Sequence, residues 1–234
     1  SDGTGNSYYE GQNIRLNEDL ILYAQWKNKQ EKKYYNGHEY VDLGLPSGTL
    51  WATCNVGANS PEEYGDYFAW GEVEPKEVYD WSTYRYGLDW NQVIKYCDND
   101  YCGKDGFVDD KMELDPEDDA ATMNWGGDWR MPTNVEMDEL KTQCSWTWIT
   151  LNEIDGYLVT SNIVGYTDKS IFLPAAGIVY HDGVSNVGLH GYYWSKSLFR
   201  GSPGGAHVME INLNYIDRYP HSREIGLSVR AVCP

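Results

Sequence analysis

Basic side chains are scarce in this sequence. Lysine and arginine total 18 against 36 aspartates and glutamates, a formal charge of -18 over 234 residues. A surface of that sign repels phosphate backbones and anionic bilayers, which argues against nucleic acid as a partner. Long apolar runs are missing as well. Nowhere do about 18 consecutive apolar residues occur, so no segment reads as a membrane-spanning helix. A basic-then-apolar leader is also absent, and the opening SDGTGN reads as the cut end of something longer. Phenylalanine is rare, with 4 copies beside 20 tyrosines and 10 tryptophans. The aromatic content therefore lies in rings that join an apolar body to a polar edge, suited to half-buried sheets and to recognition surfaces. Three chemical signatures are missing too: the G-x-S-x-G elbow, the H-E-x-x-H pair and the C-x2-C pair of many zinc sites.

What is present divides into two units, 1–32 and 33–234. In the first, residues 13–26 end in a strand-like run after a turn at Glu10, Gly11 and Gln12, and the unit is too short to bury a core alone. Residues 27–33, KNKQEKK, read as a polar linker. In the second unit, residues 38–58 alternate apolar and polar positions around a Pro-Ser-Gly turn, a hairpin signal, and residues 62–72 offer a short aromatic strand. A helix is expected over residues 89–96. A better-marked one starts where Thr133 and Glu136 make a capping box ahead of Met137 and Leu140. Short strands then follow at WTWIT, GYLVTS, SIFLPAAG and GIVYH. Many short strands with about two helices and long irregular loops give an α+β fold built on antiparallel pairs.

Two family resemblances come from these segments. YYEGQNIRLNEDLILYAQW resembles the closing portion of a Listeria–Bacteroides repeat, the internalin B-type repeat of bacterial surface proteins. Six stretches in order, EYVDLGLPSGTLWATCNVGA, EEYGDYFAWGE, LDPEDDAATMNWGGDWRMPT, IFLPAAG, YYWSKS and GLSVRAV, resemble the Fibrobacter succinogenes major paralogous domain. That resemblance implies a C-type-lectin-like fold of the formylglycine-generating-enzyme branch, in which N- and C-terminal strands pair. It also implies an exported protein of Bacteroidetes, extracellular or at the cell surface and anchored to the outer membrane. Some relatives are variable proteins of diversity-generating retroelements, in which the C-terminal segment changes ligand specificity. Oxidase chemistry is not expected. It needs a redox cysteine pair in the C-terminal part, and among Cys54, Cys97, Cys102, Cys144 and Cys233 only Cys233 lies there. The five cysteines read equally as two bridges plus one thiol or as small buried hydrophobes, with Cys97 and Cys102 close enough to close a local loop.

Two candidate sites remain. Residues 98–109 place Asp98, Asp100 and Asp109 at positions 1, 3 and 12 of an EF-hand-like pattern, a calcium site weakened by Cys102 at position 5 and by Asp where a longer Glu usually reaches. The alternative is a solvated acidic loop. The sugar-binding E-P-N, Q-P-D and W-N-D strings do not occur, and Asp115, Glu117, Asp118 and Asp119 read as caps for the helical turn at Ala120 and Ala121. The second candidate is the stretch between YYWSKS and GLSVRAV. Along it, Met209, Ile211 and Leu213 are expected to point inward and Val208, Glu210, Asn212 and Asn214 outward. Trp194, Leu198, Leu227 and Val229 frame it. Trp129 and Arg130 are expected to lock the start of the helix after Pro132. The expected recognition face comprises Phe199, Arg200, His207, Glu210, Asn212, Tyr215, Asp217, Arg218, Tyr219 and His221, the aromatic and polar mixture that binding surfaces use. Its partner would be a protein or glycan on another surface. The other expectation is a structural or adhesive surface protein, such as a fimbrial subunit, with no dedicated small ligand.

Overall fold

Three consecutive large rings, Tyr192, Tyr193 and Trp194, can all be buried only if the strand that carries them is covered on both faces. The computed structural model, which describes residues 32–234, meets that condition. The strand is β10 (His190–Leu198), inside a five-stranded sheet of order β12 (Tyr215–Ser222), β11 (Gly205–Asn212), β10, β13 (Leu227–Ser228), β4 (Tyr67–Phe68). Neighbours are antiparallel except β10 and β13. On one face Tyr192, Trp194, Ala206 and Val208 join Trp70, Trp129 and Leu227 in one core. On the other, Tyr193, Met209 and Ile211 meet Met137, Leu140, Tyr157 and Ile171 in a second. The frame residues Trp194, Leu198, Leu227 and Val229 are buried as expected.

A four-stranded sheet runs β1 (Lys33–Tyr35), β2 (His38–Asp42), β3 (Leu50–Asn55), β14 (Arg230–Cys233). The expected hairpin is β2 with β3, and the chain's last strand closes antiparallel against β3. The strands β5 (Cys144–Leu151), β6 (Ile154–Ser161) and β7 (Ser170–Pro174) form a meander that covers the second core, and β8 (Ile178–Tyr180) pairs with β9 (Gly183–Ser185). With helices α1 (Ala120–Trp125) and α2 (Asn134–Gln143), the described residues form an α+β arrangement of mostly antiparallel sheets. No helix among them is long and apolar enough to cross a membrane. The strand and repeat portion expected in residues 1–31 lie outside the described residues, as does most of the linker, while Lys33 already belongs to β1.

Helix α2 begins as its sequence dictates. The Thr133 hydroxyl accepts from the Glu136 N–H, and the Glu136 carboxylate accepts from the Thr133 N–H at 2.8 Å, a complete capping box. Arg130 grips the same carboxylate through both terminal nitrogens, at 2.7 and 2.5 Å, which locks the start of the helix. Of the acidic cluster, only Asp119 caps α1, accepting from Ala121 and Thr122 N–H groups at 3.0 Å. Asp118 is buried instead, where its carboxylate accepts from the Tyr86 and Tyr96 hydroxyls and from Lys95, each at 2.5 Å. The helix expected over residues 89–96 does not form. Tyr96 sits at φ 60, which a right-handed helix cannot contain, because the Asp109 carboxylate holds its N–H and Asp118 holds its hydroxyl. Upstream, Leu88 N–H bonds to Gln92 O and Ile94 N–H to Tyr86 O, folding a tight turn in place of a helix. All five cysteines are free thiols, and Cys97, Cys102, Cys144 and Cys233 are buried. Burial pushes the Cys144 thiol up to about 12 and the Cys233 thiol up to about 11, so both are inert at neutral pH.

Burial acts to raise the Glu136 carboxyl but is outweighed by Arg130, the Thr133 N–H and Thr49, which bring it from 4.5 down to about 2. Its stabilising contribution, on the order of 3 kcal/mol, is complete above pH 4.5 and is lost as pH falls toward 2. Chemical denaturation across that window should give a shallower pH dependence for Glu136→Gln than for the parent. Parallel curves would show that this carboxylate does not carry the acid sensitivity.

Candidate functional site

The expected recognition face lies on β10, β11 and β12, and pairing decides which side chains meet. Glu210 stands opposite Tyr192 on β10, Val208 opposite Tyr219, and Ala206 opposite His221. In antiparallel pairs opposite residues share a face, so these side chains line the side of the sheet that also buries Trp194. At its margin Glu210, 8% exposed, becomes the hub of a small polar cluster. Its Oε1 accepts from the Tyr215 hydroxyl at 2.5 Å and lies 3.0 Å from His190 Nδ1, and its Oε2 lies 3.8 Å from His221 Nε2. A carboxylate oxygen accepts, so this contact is a hydrogen bond in the tautomer that carries its proton on Nδ1. The Tyr192 ring stacks on His190 with centroids 5.7 Å apart and meets His221 edge-on at 5.2 Å.

The electrostatics follow from this packing. The hydrogen bond to Glu210 holds the Tyr215 hydroxyl up at about 12, so it remains a donor at any ordinary pH. Burial lowers His221 below its usual 6.5 and outweighs the pull of Glu210 in the other direction. Burial lowers His207 as well, helped by the nearby charge of Arg218. At neutral pH both rings are uncharged hydrogen-bonding groups rather than cations.

The ten expected residues divide into groups. Glu210, Tyr215 and His221 form the cluster, with Tyr219 beside it, its ring 6.4 Å from that of Tyr215. Asp217, opposite Glu210, and Arg218, opposite Met209 on the other face, both pair with α2. Asp217 pairs with Lys141 at 2.9 Å, and Arg218 pairs with Asp138 at 2.9 Å and bonds Asn134 Oδ1 at 3.0 Å. Phe199 packs edge-on against His207 at 5.2 Å. Arg200 is exposed and makes no hydrogen bond or ion pair among the described residues.

Three expectations are corrected. Val208, Glu210 and Asn212 do not point to solvent, because the face they occupy is itself covered by the first core, and Leu213 is 65% exposed rather than inward because it sits in the two-residue turn between β11 and β12. Asn212 belongs to that turn. Its Oδ1 accepts from the N–H groups of Asn214 at 2.8 Å and Tyr215 at 3.2 Å. The third correction concerns the acidic loop. Asp98 accepts from the Gly201 N–H at 2.9 Å, and Asp109 accepts from the N–H groups of Tyr96 and Cys97 at 2.9 and 2.8 Å. Among the described residues no group of three or more His, Cys, Asp or Glu side chains is arranged to hold a metal, Asp98, Asp100 and Asp109 included.

No family model, curated protein or solved structure matches this chain. The site therefore stands on its own geometry. That geometry adds His190, Tyr192, Asn134, Asp138 and Lys141, which the sequence reading left out. His190 and Tyr192 alternate at period two in HGYYW, a signal that places them on one face once β10 is known to pair with β11. A cleft of about 330 Å³ on the four-stranded sheet, lined by His38, Thr53, Cys54 and Trp125 among others, shares no residue with this cluster.

Asn212→Ala should lower stability by about 1–2 kcal/mol in urea denaturation, because two turn N–H groups lose their acceptor. Asn214→Ala, exposed and without a side-chain bond, should stay within about 0.5 kcal/mol of the parent. Equal effects from the two would return Asn212 to the recognition face.

Proposed function

We propose that this chain is a ligand-binding domain of an exported bacterial surface protein, with a C-type-lectin-like fold, and that it recognises a protein or glycan on another surface through β12 and the loops beside it. The observation that carries this reading is the character of β12. It is the edge strand of a sheet whose next two strands are buried on both faces, yet it presents Tyr215 and Tyr219, 39% and 46% exposed, beside half-exposed Asp217, Arg218 and His221. A covering role would favour apolar residues here. Rigid rings with adaptable polar neighbours suit recognition instead, and Tyr215 is already oriented by Glu210. Pro220 lacks an N–H, and charges at 217 and 218 blunt the edge against strand addition, so recognition runs through side chains rather than through the backbone.

The fold part of the proposal is supported by where the resembling motifs fall. The stretches at 38–58, 62–72, 192–197 and 226–232 supply β2, β3, β4, β10, β13 and β14, the frame, while β12 lies between the last two stretches. That division of frame from face is the one the retroelement-diversified relatives are expected to use. No reaction is assigned to the cluster. Its histidines and Glu210 are paired with one another and with tyrosines, an arrangement that orients rings.

A glycan and protein array probed with the parent and with Tyr215→Ala/Arg218→Ala/Tyr219→Ala, in calcium and in chelator, tests the reading. Binding by the parent that falls about tenfold or more in the triple variant is expected, with chelator making no difference. Equal binding by both proteins removes the face from the function. Binding by neither favours the structural surface-protein reading.

A further inference from the structure

Exposed apolar side chains cluster in residues 86–110, outside the face described above. Leu88 is 63% exposed, Trp90 45% and Tyr101 71%, and the Trp90 and Tyr101 rings lie 5.8 Å apart at 50°. Exposed aromatic pairs on a rigid support, rimmed by charge, mark interaction surfaces. This support is rigid. Val93, Cys97 and Cys102 make a small buried core beneath it, Val93 exchanges backbone bonds with Cys102 and Lys104, and the Arg223 guanidinium binds the carbonyls of Lys95 and Tyr96. The rings also adjoin the loop that carries Arg200. A Cβ at Gly204 would come within 2.9 Å of Trp90 Cβ, so glycine lets that loop lie against the tryptophan, and Asp98 accepts from Gly201 N–H at 2.9 Å.

The charge around the rings is mainly negative, with exposed Arg200 of the adjoining loop the nearby exception. Residues 88–110 hold six aspartates, at 89, 98, 100, 105, 109 and 110, against Lys95 and Lys104. Lys95 is already engaged by Asp115 and Asp118, at 3.0 and 2.5 Å. Asp89 and Asp100 each adjoin one of the two rings in sequence.

We infer that Trp90 and Tyr101, with Asp89 and Asp100, form a second binding surface for a protein partner that presents a cationic, apolar segment. Two tilted rings offer an apolar notch and π faces for a lysine or arginine, and the surrounding carboxylates attract that charge and repel acidic partners. The chain's own charge of -18 disfavours a second copy as the occupant.

The test uses the full chain and short fluorescein-labelled peptides. One is an amphipathic Lys/Leu/Phe peptide, the second replaces Leu and Phe with Gly and Ser, and the third replaces Lys with Glu. The first should bind about tenfold more tightly than the second, and the third should not bind. Trp90→Ala/Tyr101→Ala should weaken the first about tenfold, and Asp89→Asn/Asp100→Asn, which keeps the rings, should weaken it severalfold at low salt. Tyr215→Ala/Tyr219→Ala should change it less than about twofold, which separates failure here from failure of the β12 reading. Equal binding by the parent and the Trp90/Tyr101 variant would overturn the inference. So would binding of the Glu peptide, capture of a neutral oligosaccharide such as maltohexaose that depends on the two rings, or self-association by sedimentation that the variant abolishes.

Discussion

A buried positive charge without a carboxylate partner constrains this molecule most. Arg223 is fully buried and makes no ion pair among the described residues. Its guanidinium donates to Tyr84 Oη at 2.9 Å, Pro203 O at 2.6 Å, Tyr96 O at 3.1 Å and Lys95 O at 3.0 Å, and lies 4.9 Å from the Trp70 ring. Removing such a group from water costs several kcal/mol, so its surroundings must supply oxygens and ring faces at nearly every donor. The carbonyls come from chain segments more than a hundred residues apart. Satisfying one side chain therefore fixes the 84–96 segment against the loop before β11.

Arg230 does the same work at the other end of the frame. It is 1% exposed, with bonds to Asn55 Oδ1 at 2.9 Å, Ala52 O at 3.1 Å and Phe172 O at 3.0 Å, and so ties β14 and β3 to the β5–β7 meander. Arg223 directly follows Ser222, the last residue of β12, but neither arginine side chain hydrogen-bonds to a β12 residue. The edge strand is joined to the rest by ladder bonds from β11, by Asp217 and Arg218 reaching α2, and by Tyr215 reaching Glu210. Such half-exposed pairs each contribute little. The frame is thus stabilised by groups that the outward side chains of β12 do not share, and those side chains are free to differ.

Features governed by near neighbours were legible in the sequence. The capping box of α2 and the hairpin around Pro46, Ser47 and Gly48 each depend on residues a few positions apart. What escaped was decided across the sheet. The period of two along β11 placed Met209 and Ile211 together correctly, but nothing local says that the opposite face of the same strand is covered too, so Val208 and Glu210 were assigned to solvent. Asn212 looked like a ligand because its type suits both a turn and a binding face, and only the two-residue turn after it decides between them. The helix expected at 89–96 failed for the same kind of reason. Tyr96 is held in the left-handed region by Asp109 and Asp118, 13 and 22 residues away.

Arg223 makes the 84–96 segment and the 199–205 loop one rigid surface beside β12. Hydrogen–deuterium exchange of Arg223→Lys, which keeps the charge but loses the planar fork of donors, tests it most directly. Amides in both segments should exchange faster together while those of β3, β10 and β14 keep their protection. Faster exchange in only one segment, or across the whole frame, would contradict it.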